Sequence, residues 1–178
     1  ATARQLAAAP LEKGGTEVCG VEVIVGMDSI KSMPPLPTHI AIGDNRRRMQ
    51  IASCLDLSWA TIIHPAAVVD VTATIGEGAL VLAGAVVQVD ALLGDHVIIN
   101  DNATVEHDCI VGTGAHVSCN ACLAGGAVVG RCSLVGLGAS VLPGIHVGDF
   151  SIVGAGAVVT RSLQNNVTAV GIPARVAG

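Results

Sequence analysis

Aromatic side chains are almost missing from this chain, which has one tryptophan, one phenylalanine and no tyrosine. Conventional globular cores rely on aromatic rings as well as aliphatic side chains. Here 51% of the residues are hydrophobic although aromatic residues make up only 1%. An interior of stacked valine, isoleucine, leucine and alanine, as in a solenoid, explains this composition better than a globular core does.

Positive charge is also scarce. The formal net charge is −5, and the densest basic run is Arg46-Arg47-Arg48. Nucleic-acid binding depends on basic patches, so nucleic acid is not an expected partner. The run from Cys109 to Gly130 has no Asp, Glu, Lys or Arg and is long enough to cross a bilayer. It contains His116, Asn120 and five glycines, however, so no membrane span is expected.

The six cysteines form no pattern typical of a metal site or a disulfide framework. Cys119 and Cys122 make a single C-x-x-C, with no second pair at zinc-finger spacing. No secretory leader is recognisable. We therefore expect reduced thiols, no bound metal and a cytoplasmic location.

What the sequence does contain is a strict repeat of six. An aliphatic residue occupies every sixth position, and a small residue, usually alanine, lies two positions before it. Helices repeat about every 3.6 residues and ordinary strands every two, whereas a period of six is the hexapeptide signature of a parallel β-helix. The seventeen aliphatic positions are Ile63, Val69, Ile75, Val81, Val87, Leu93, Ile99, Val105, Val111, Val117, Leu123, Val129, Val135, Val141, Val147, Val153 and Val159.

Glycine adds a second period of eighteen, at Gly76, Gly94, Gly112, Gly130 and Gly148. Three hexads therefore form one coil of a triangular prism, and successive coils stack about 4.8 Å apart. We expect these glycines at a corner where the backbone must turn without a Cβ penalty. The chain then divides into a small, incomplete α/β domain over residues 1–58 and the prism with a C-terminal tail over residues 59–178.

Within the first domain, the sequence predicts a helix around Arg4–Ala9 and a buried strand at His39–Ile42. A second helix is predicted to begin at Gly43-Asp44-Asn45 and to continue to Leu55.

The most informative polar cluster on the prism is Glu106-His107-Asp108. Either carboxylate could orient the imidazole and stabilise its protonated form, as a general base requires. Gly125 lies eighteen residues after His107 and should stack on it, about 5 Å away. An N–H of the bare backbone there could meet a developing oxyanion. The alternative from spacing alone is a solvated corner histidine beside ordinary surface acids.

The remaining prism histidines are weaker candidates. His116 follows His107 by half a coil, so the two could meet only between neighbouring prisms. His64, His96 and His146 are expected to be surface residues. A zinc site shared between subunits, as in γ-type carbonic anhydrases, is an alternative, but the histidine spacing fits it poorly.

The hexapeptide prism, the segments Val105–Cys109 and Leu123–Gly126, and the closing Gly171-Ile172-Pro173-Ala174-Arg175 resemble a known family. This family comprises the sialic acid O-acetyltransferases and the nucleotide-amino-sugar N-acetyltransferases of bacterial glycan pathways. The similarity covers roughly residues 20–175, and Glu-His-Asp is its most specific part. The fold class it implies is all-β, a left-handed parallel β-helix with a small N-terminal α/β domain.

The resemblance implies a homotrimer with active sites between subunits and transfer of an acetyl group from acetyl-CoA to the amine or hydroxyl of a sugar or sugar nucleotide. No metal is implied. By resemblance, His107 is the catalytic base, and Asp108 raises its basicity. Cofactor-binding positions are His116, Gly125, Leu137 and Ala155, and substrate-binding positions are Asn100 and Gly43. Cys119, Leu137 and Ala155 also form one column with a spacing of eighteen, a suitable bed for a long cofactor.

One departure from the family concerns the first segment. Relatives open with a strand and a Gly-rich turn that binds the nucleotide sugar, and no such segment precedes Arg4. Either the native start is missing or the acceptor pocket is incomplete. A non-catalytic β-helix scaffold that binds partners through its flat faces therefore stays an alternative.

Overall fold

The computed structural model describes residues 36–177, together with the backbone of two short strands before them. The chain divides into two compact units, residues 1–36 and residues 37–178. In the first unit, β1 (Glu17–Val18) and β2 (Val21–Glu22) form an antiparallel pair. The helix predicted at Arg4–Ala9 lies outside the described residues. The assignment of residues 1–58 as a sugar-nucleotide domain stays a prediction.

The second unit contains one helix, α1 (Asn45–Cys54), followed by a triangular prism of two-residue strands. Face 1 consists of β3 (Ile62–Ile63), β6 (Leu80–Val81), β9 (Ile98–Ile99), β12 (His116–Val117), β15 (Leu134–Val135), β18 (Ile152–Val153) and β20 (Thr168–Val170), with β21 (Arg175–Val176) antiparallel at its end. Face 2 consists of β4 (Val68–Val69), β7 (Val86–Val87), β10 (Thr104–Val105), β13 (Cys122–Leu123), β16 (Ser140–Val141) and β19 (Val158–Val159). Face 3 consists of β5 (Thr74–Ile75), β8 (Leu92–Leu93), β11 (Ile110–Val111), β14 (Val128–Val129) and β17 (His146–Val147).

The register confirms the predicted coil of eighteen residues. Ile99 pairs with Val117, and Val117 with Val135, always in parallel. From β6 to β19 the second residue of each strand points inward and is buried. The residue two positions earlier is usually small and is buried as well, except Ile145, which is partly buried. Small inner residues let branched side chains from three faces meet on one axis, which explains the lack of aromatic residues. The period ends where the sequence indicates, because Ile152 pairs with Thr168 only sixteen residues on.

Three rows of two-residue turns join the faces. Corner A, between faces 1 and 2, comprises residues 65–66, 83–84, 101–102, 119–120, 137–138 and 155–156. Corner B, between faces 2 and 3, comprises residues 71–72, 89–90, 107–108, 125–126 and 143–144. Corner C, between faces 3 and 1, comprises residues 77–78, 95–96, 113–114, 131–132 and 149–150. The second residue of every turn from Gly78 to Gly156 has a positive φ, including non-glycine residues such as Asp108 (φ 58°).

The glycines that recur every eighteen residues are not needed for the turn, as the sequence analysis expected, but for another reason. Gly76, Gly94, Gly112, Gly130 and Gly148 precede corner C and do not have positive φ. A Cβ on Gly112 would instead lie 2.6 Å from the backbone nitrogen of Arg131 in the next coil. The column therefore permits close stacking of successive coils, and the turn geometry does not require it.

Residues 37–59 differ in part from the prediction. His39–Ile42 is not a strand: only Thr38 forms a bridge, in parallel with Trp59. The predicted helix start is confirmed, because the Asp44 side chain caps α1 by accepting from the N–H of Arg47. Among the described residues, no helix is long and apolar enough to cross a membrane.

Candidate active site

His107 and Asp108 form the turn of corner B in the coil that contains β10 and β11. The left-handed conformation of Asp108 points its carboxylate back at its neighbour, so that Oδ2 lies 2.7 Å from His107 Nδ1. Carboxylates are acceptors, so Nδ1 carries the proton and Nε2 keeps its lone pair. The hydrogen bond to Asp108 raises the pKa of His107 above its usual value. Desolvation opposes this effect, and the charges of Asp108 and Glu106 raise the pKa further by smaller amounts.

Gly125 lies directly beside this imidazole in the next coil, as predicted from the spacing of eighteen. A Cβ on Gly125 would be 2.5 Å from Nε2 and 2.6 Å from Cε1 of His107. The two turns are also joined through the backbone, since the N–H of Gly126, the residue after Gly125, donates to the His107 carbonyl at 2.8 Å. Both side chains of the pair are open to solvent, with 62% of His107 and 67% of Asp108 exposed. Reactants can therefore reach Nε2.

One backbone N–H beside His107 is open. The N–H groups of Ala124 and Gly126 are used in the coil, whereas that of Gly125 has no partner among the described residues. In three turns of corner C, the N–H of the first residue donates to a side chain one coil on, as Arg131 N–H does to Asp149 Oδ1. At Gly125 the corresponding residue is Pro143, which offers no acceptor. The donor expected within residues 124–126 is therefore the N–H of Gly125.

A second group of predicted residues lies on face 1. The amide nitrogen Nδ2 of Asn100 is 3.0 Å from His116 Nε2, and its oxygen Oδ1 accepts the Asp101 N–H at 2.9 Å. Burial lowers the pKa of His116, and the charge of Arg48 lowers it further, while a hydrogen bond to the Gly43 backbone acts in the opposite direction. Asn100, His116 and Gly43 are therefore neighbours, a grouping that the spacing did not reveal.

Sequence reasoning missed Arg48, which it noted only as part of the basic run Arg46-Arg47-Arg48. Arg48 is only 1% exposed, and its guanidinium donates to the carbonyls of His96 (2.8 Å), Gly114 (2.7 Å) and Ile42 (2.9 Å). It also bonds Asn45 Oδ1 at 2.9 Å. The bonds to His96 and Gly114 fix α1 to corner C in two successive coils. The available signal was helical spacing, because the inward-facing side of α1 carries Asn45, Arg48, Met49 and Ala52.

His96 corrects a further expectation. The spacing predicts a surface histidine, but His96 is only 5% exposed, because Trp59 packs edge-on against its ring at a centroid distance of 5.0 Å. His64 and His146 are exposed, as predicted. Among the described residues, no three His, Cys, Asp or Glu side chains cluster as metal ligands.

Leu137 and Ala155 lie on corner A, in the column that begins with Cys119. The coils stack directly, since Gly138 N–H donates to the Cys119 carbonyl at 3.0 Å and Gly156 N–H to the Leu137 carbonyl at 2.7 Å. Leu137 is 59% exposed. On one chain the predicted residues therefore occupy three places: corner B, face 1 and corner A.

Among the solved structures with the same architecture are two acetyltransferases. The acetyltransferase domain of PglB from Neisseria gonorrhoeae superposes with a TM-score of 0.88 at 37% identity, over 93% of this chain and 83% of that one. Perosamine N-acetyltransferase from Caulobacter crescentus superposes with a TM-score of 0.83 at 39% identity, over 92% of this chain and 81% of that one. WeeI from Acinetobacter baumannii superposes with a TM-score of 0.86 at 27% identity, over 94% of this chain and 84% of that one.

Two of these relatives have been seen with ligands. The PglB domain was solved with acetyl coenzyme A, and the perosamine enzyme with CoA and GDP-perosamine. No protein-family model and no curated protein matches the sequence. This chain shares the fold of the PglB domain and is 37% identical to it over 93% of its own length. The chain therefore belongs to the hexapeptide-repeat sugar N-acetyltransferases.

Proposed function

We propose that this enzyme transfers the acetyl group of acetyl-CoA to the amino group of a nucleotide-linked amino sugar, with His107 as general base. The observation that carries the proposal is the position of His107 Nε2. Asp108 holds the proton of the exposed ring on Nδ1, so Nε2 keeps a free lone pair, and Nε2 faces the bare Gly125 backbone. The choice of an amine acceptor rests on the relative that binds GDP-perosamine and is an N-acetyltransferase.

The chemistry is direct attack on the thioester. As the acceptor nitrogen forms its bond to the acetyl carbonyl carbon, His107 Nε2 takes a proton from that nitrogen, and Asp108 stabilises the imidazolium. Collapse of the tetrahedral intermediate breaks the carbon–sulfur bond, and the imidazolium returns the proton to the departing CoA sulfur. The products are the N-acetyl sugar and CoA, so no acyl-enzyme and no nucleophilic cysteine is required.

The N–H of Gly125 would stabilise the negative charge that develops during the reaction. The intermediate carries a negative charge on the former carbonyl oxygen, and a preorganised N–H stabilises it most where charge develops. The N–H of Gly125 makes no hydrogen bond within the described residues and belongs to the residue that touches His107. We assign it as the oxyanion donor.

A complete site needs a second copy of the chain. Corner B, with His107, is the one corner that face 1, with His116 and Asn100, does not touch. The outward residues of faces 1 and 3 include exposed aliphatic side chains, among them Ile62, Leu92, Ile110 and Ile152, each 43–46% exposed. Packing prisms side by side would cover these side chains and bring His116 of one copy towards His107 of another. We therefore propose a homotrimer with its sites between subunits.

Within that trimer, acetyl-CoA would lie along corner A, over Leu137 and Ala155, and reach His116 and Gly125. Asn100 and Gly43 would face the acceptor. We place the reaction in bacterial surface-glycan biosynthesis, in the cytoplasm where acetyl-CoA is available, and without a metal ion.

The test is a panel of nucleotide-linked amino sugars, with free sialic acid as an O-acetylation control, scored for CoA release in the presence of a chelator. The proposal expects release with at least one amino-sugar nucleotide and an N-acetylated product by mass spectrometry. Acetylation of sialic acid alone would contradict the amine assignment, and loss of activity with chelator would contradict the metal-free mechanism. Titration calorimetry that gave no heat with acetyl-CoA would instead support a scaffold.

A further inference from the structure

Cys109 is a buried thiol that the proposed mechanism does not use. It lies in the inner row of small residues, directly after the turn of His107, and its exposed fraction is 0%. Its Sγ is 3.2 Å from the carbonyl oxygen of Ala124 and 3.9 Å from that of Leu123, so Ala124 accepts the shorter hydrogen bond. Burial raises the pKa of this thiol, so Sγ keeps its proton and is the donor.

The Ala124 carbonyl belongs to the same peptide group as the N–H of Gly125. This peptide bond is trans, and in a planar trans peptide the C=O and the N–H point in opposite directions. Because the oxygen of Ala124 is directed at the buried Sγ, the N–H of Gly125 points away from the interior of the prism. That N–H has no partner among the described residues, and Gly125 lies against the His107 ring.

A second donor reaches the same carbonyl oxygen. The N–H of Ala127 closes the turn by donating to the Ala124 carbonyl at 3.0 Å. Bonds of this kind recur in other turns of the prism, for example from the Ala121 N–H to the Ser118 carbonyl. A carbonyl oxygen has two lone pairs, so at Ala124 the turn bond and the thiol occupy both. This peptide therefore cannot rotate without breaking two hydrogen bonds.

The thiol is specific to one level of corner B. The corresponding inner positions in other coils hold alanine, which has no donor in its side chain, at Ala73, Ala91 and Ala127. At corner C, Ser133 makes the equivalent bond, since its Oγ donates to the Gly148 carbonyl at 2.6 Å. Of the four positions at corner B, only Cys109 can hold the turn of the next coil in this way, and that turn is the one beside His107.

We propose that Cys109 is a positioning residue: from inside the prism its thiol holds the Ala124–Gly125 peptide so that the Gly125 N–H points towards the oxygen on which negative charge develops. A donor that is already oriented stabilises this charge without reorganisation during the reaction. Because it is fully buried, Cys109 touches neither substrate and takes part in no covalent step. The catalytic part of this role rests on the proposed function, whereas the hydrogen bond does not.

Infrared spectroscopy tests the hydrogen bond without reference to activity. The difference between wild type and Cys109→Ala isolates the S–H stretching band of one thiol among the six cysteines. The variant should fold, because alanine fills the corresponding positions and the turn bond from Ala127 remains. Donation to the Ala124 carbonyl should place the band at a lower wavenumber than that of an alkyl thiol in an apolar solvent. A band at the position of the free thiol overturns the proposal.

Steady-state kinetics test the catalytic consequence. The oxyanion exists only in the transition state, so a misaligned donor should lower kcat and leave KM for both substrates nearly unchanged. Cys109→Ala should lower kcat about tenfold, compared with about 10²–10³-fold for the loss of a whole oxyanion donor. Cys109→Ser should restore kcat to within about threefold of wild type, because serine reaches the equivalent carbonyl from position 133. An unchanged kcat in Cys109→Ala, or a loss that serine does not rescue, overturns the proposal.

Ser133→Ala is the matched control, because it removes the same kind of bond from the same position in a coil at corner C. The Oγ of Ser133 also accepts the Ser151 N–H at 2.9 Å, so this variant should lose at least as much stability in urea as Cys109→Ala. Its kcat should nevertheless stay within about twofold of wild type. Equal losses of kcat in the two variants would assign Cys109 a structural role only and overturn the proposal.

Gly125→Pro removes the N–H itself. Pro143 occupies the same turn position one coil on, so corner B accommodates proline there. Proline and alanine at position 125 both add a Cβ beside His107, but only proline also deletes the donor. Cys109→Ala should therefore lower kcat about tenfold in a Gly125→Ala background and have no effect in a Gly125→Pro background. Equal losses in both backgrounds would overturn the proposal, because Cys109 would then act without the Gly125 N–H.

Failure of the proposed function gives a different result. Wild-type protein with the shifted S–H band but without transferase activity on any acceptor would refute the proposed function, and with it the catalytic part of this role. The hydrogen bond from Cys109 to Ala124 would stand. Active protein whose kcat ignores Cys109→Ala would instead refute the positioning role alone.

Discussion

The His107 imidazole rests against the bare α-carbon of Gly125, one coil further along the prism. A Cβ on Gly125 would come within 2.5 Å of Nε2, the atom assigned to proton transfer. Any side chain at this position must displace the ring or be displaced by it.

Gly125→Ala tests this contact. Gly125 does not have a positive φ, so alanine fits the backbone and the fold should survive. The ring, however, must move, and a displacement of about 1 Å at a reacting group can cost about 10²-fold in rate. We expect kcat/KM to fall by about that factor at an unchanged melting temperature.

The matched control is Gly144→Asn, at the same corner one coil on. Gly144 has a φ of 65° and open space around it, and asparagine tolerates that conformation. It should keep activity within about twofold. Equal losses in both variants would mean that the corner is merely sensitive to substitution.

Asp108→Asn tests the orientation of the base. Asn tolerates the left-handed backbone, but its amide no longer stabilises the imidazolium, so the raised pKa of His107 should fall. The acidic limb of kcat/KM should therefore move to lower pH. The plateau should drop by about 10²–10⁴-fold, because an amide NH₂ facing Nδ1 favours the tautomer that protonates Nε2. A pH–rate profile that matches wild type in both limb and plateau would exclude the role given to Asp108.

His96, which is buried, and His116, which is half-buried, make the stability of the fold depend on pH. Burial lowers the pKa of His116 and of His96, so the folded state keeps both rings neutral while the unfolded chain takes up protons near pH 6.5. Their contribution is complete above about pH 6.5 and is lost as pH falls towards the folded-state pKa values. The exposed His107, with its raised pKa, acts in the opposite direction.

Urea midpoints at fixed protein concentration, at about pH 7.5 and 5.5, measure this effect. His116→Gln should lose less stability on acidification than wild type, by up to about 1.4 kcal/mol for each unit by which the His116 pKa is lowered. A steeper loss in the variant would reverse the sign assigned to His116.

The sequence predicts the parts of this molecule that depend on the repeat. An aliphatic residue every six positions and a coil of eighteen determine which residue stacks on which, so the contact of Gly125 with His107 follows from their spacing alone. Parallel strand pairing transmits this register without slipping, because a shift of one residue would expose the inner row.

Contacts made by the segment outside the repeat could not be predicted in this way. In the sequence Arg48 is one of three consecutive arginines, and only the docking of α1 shows that it is buried among carbonyls. His96 is buried for the same reason, because Trp59 and α1 cover its corner.

The Asn100–His116 bond joins residues sixteen apart, off the stacking interval, and depends on side-chain orientation.

The most direct measurement is steady-state CoA release by His107→Ala with the preferred amino-sugar nucleotide, alongside calorimetry with acetyl-CoA and a native mass measurement. We predict that turnover falls by about 10²–10⁴-fold while the native mass and the affinity for acetyl-CoA stay at wild-type values. A variant that turns over at a near-normal rate would contradict the assignment of His107 as the base.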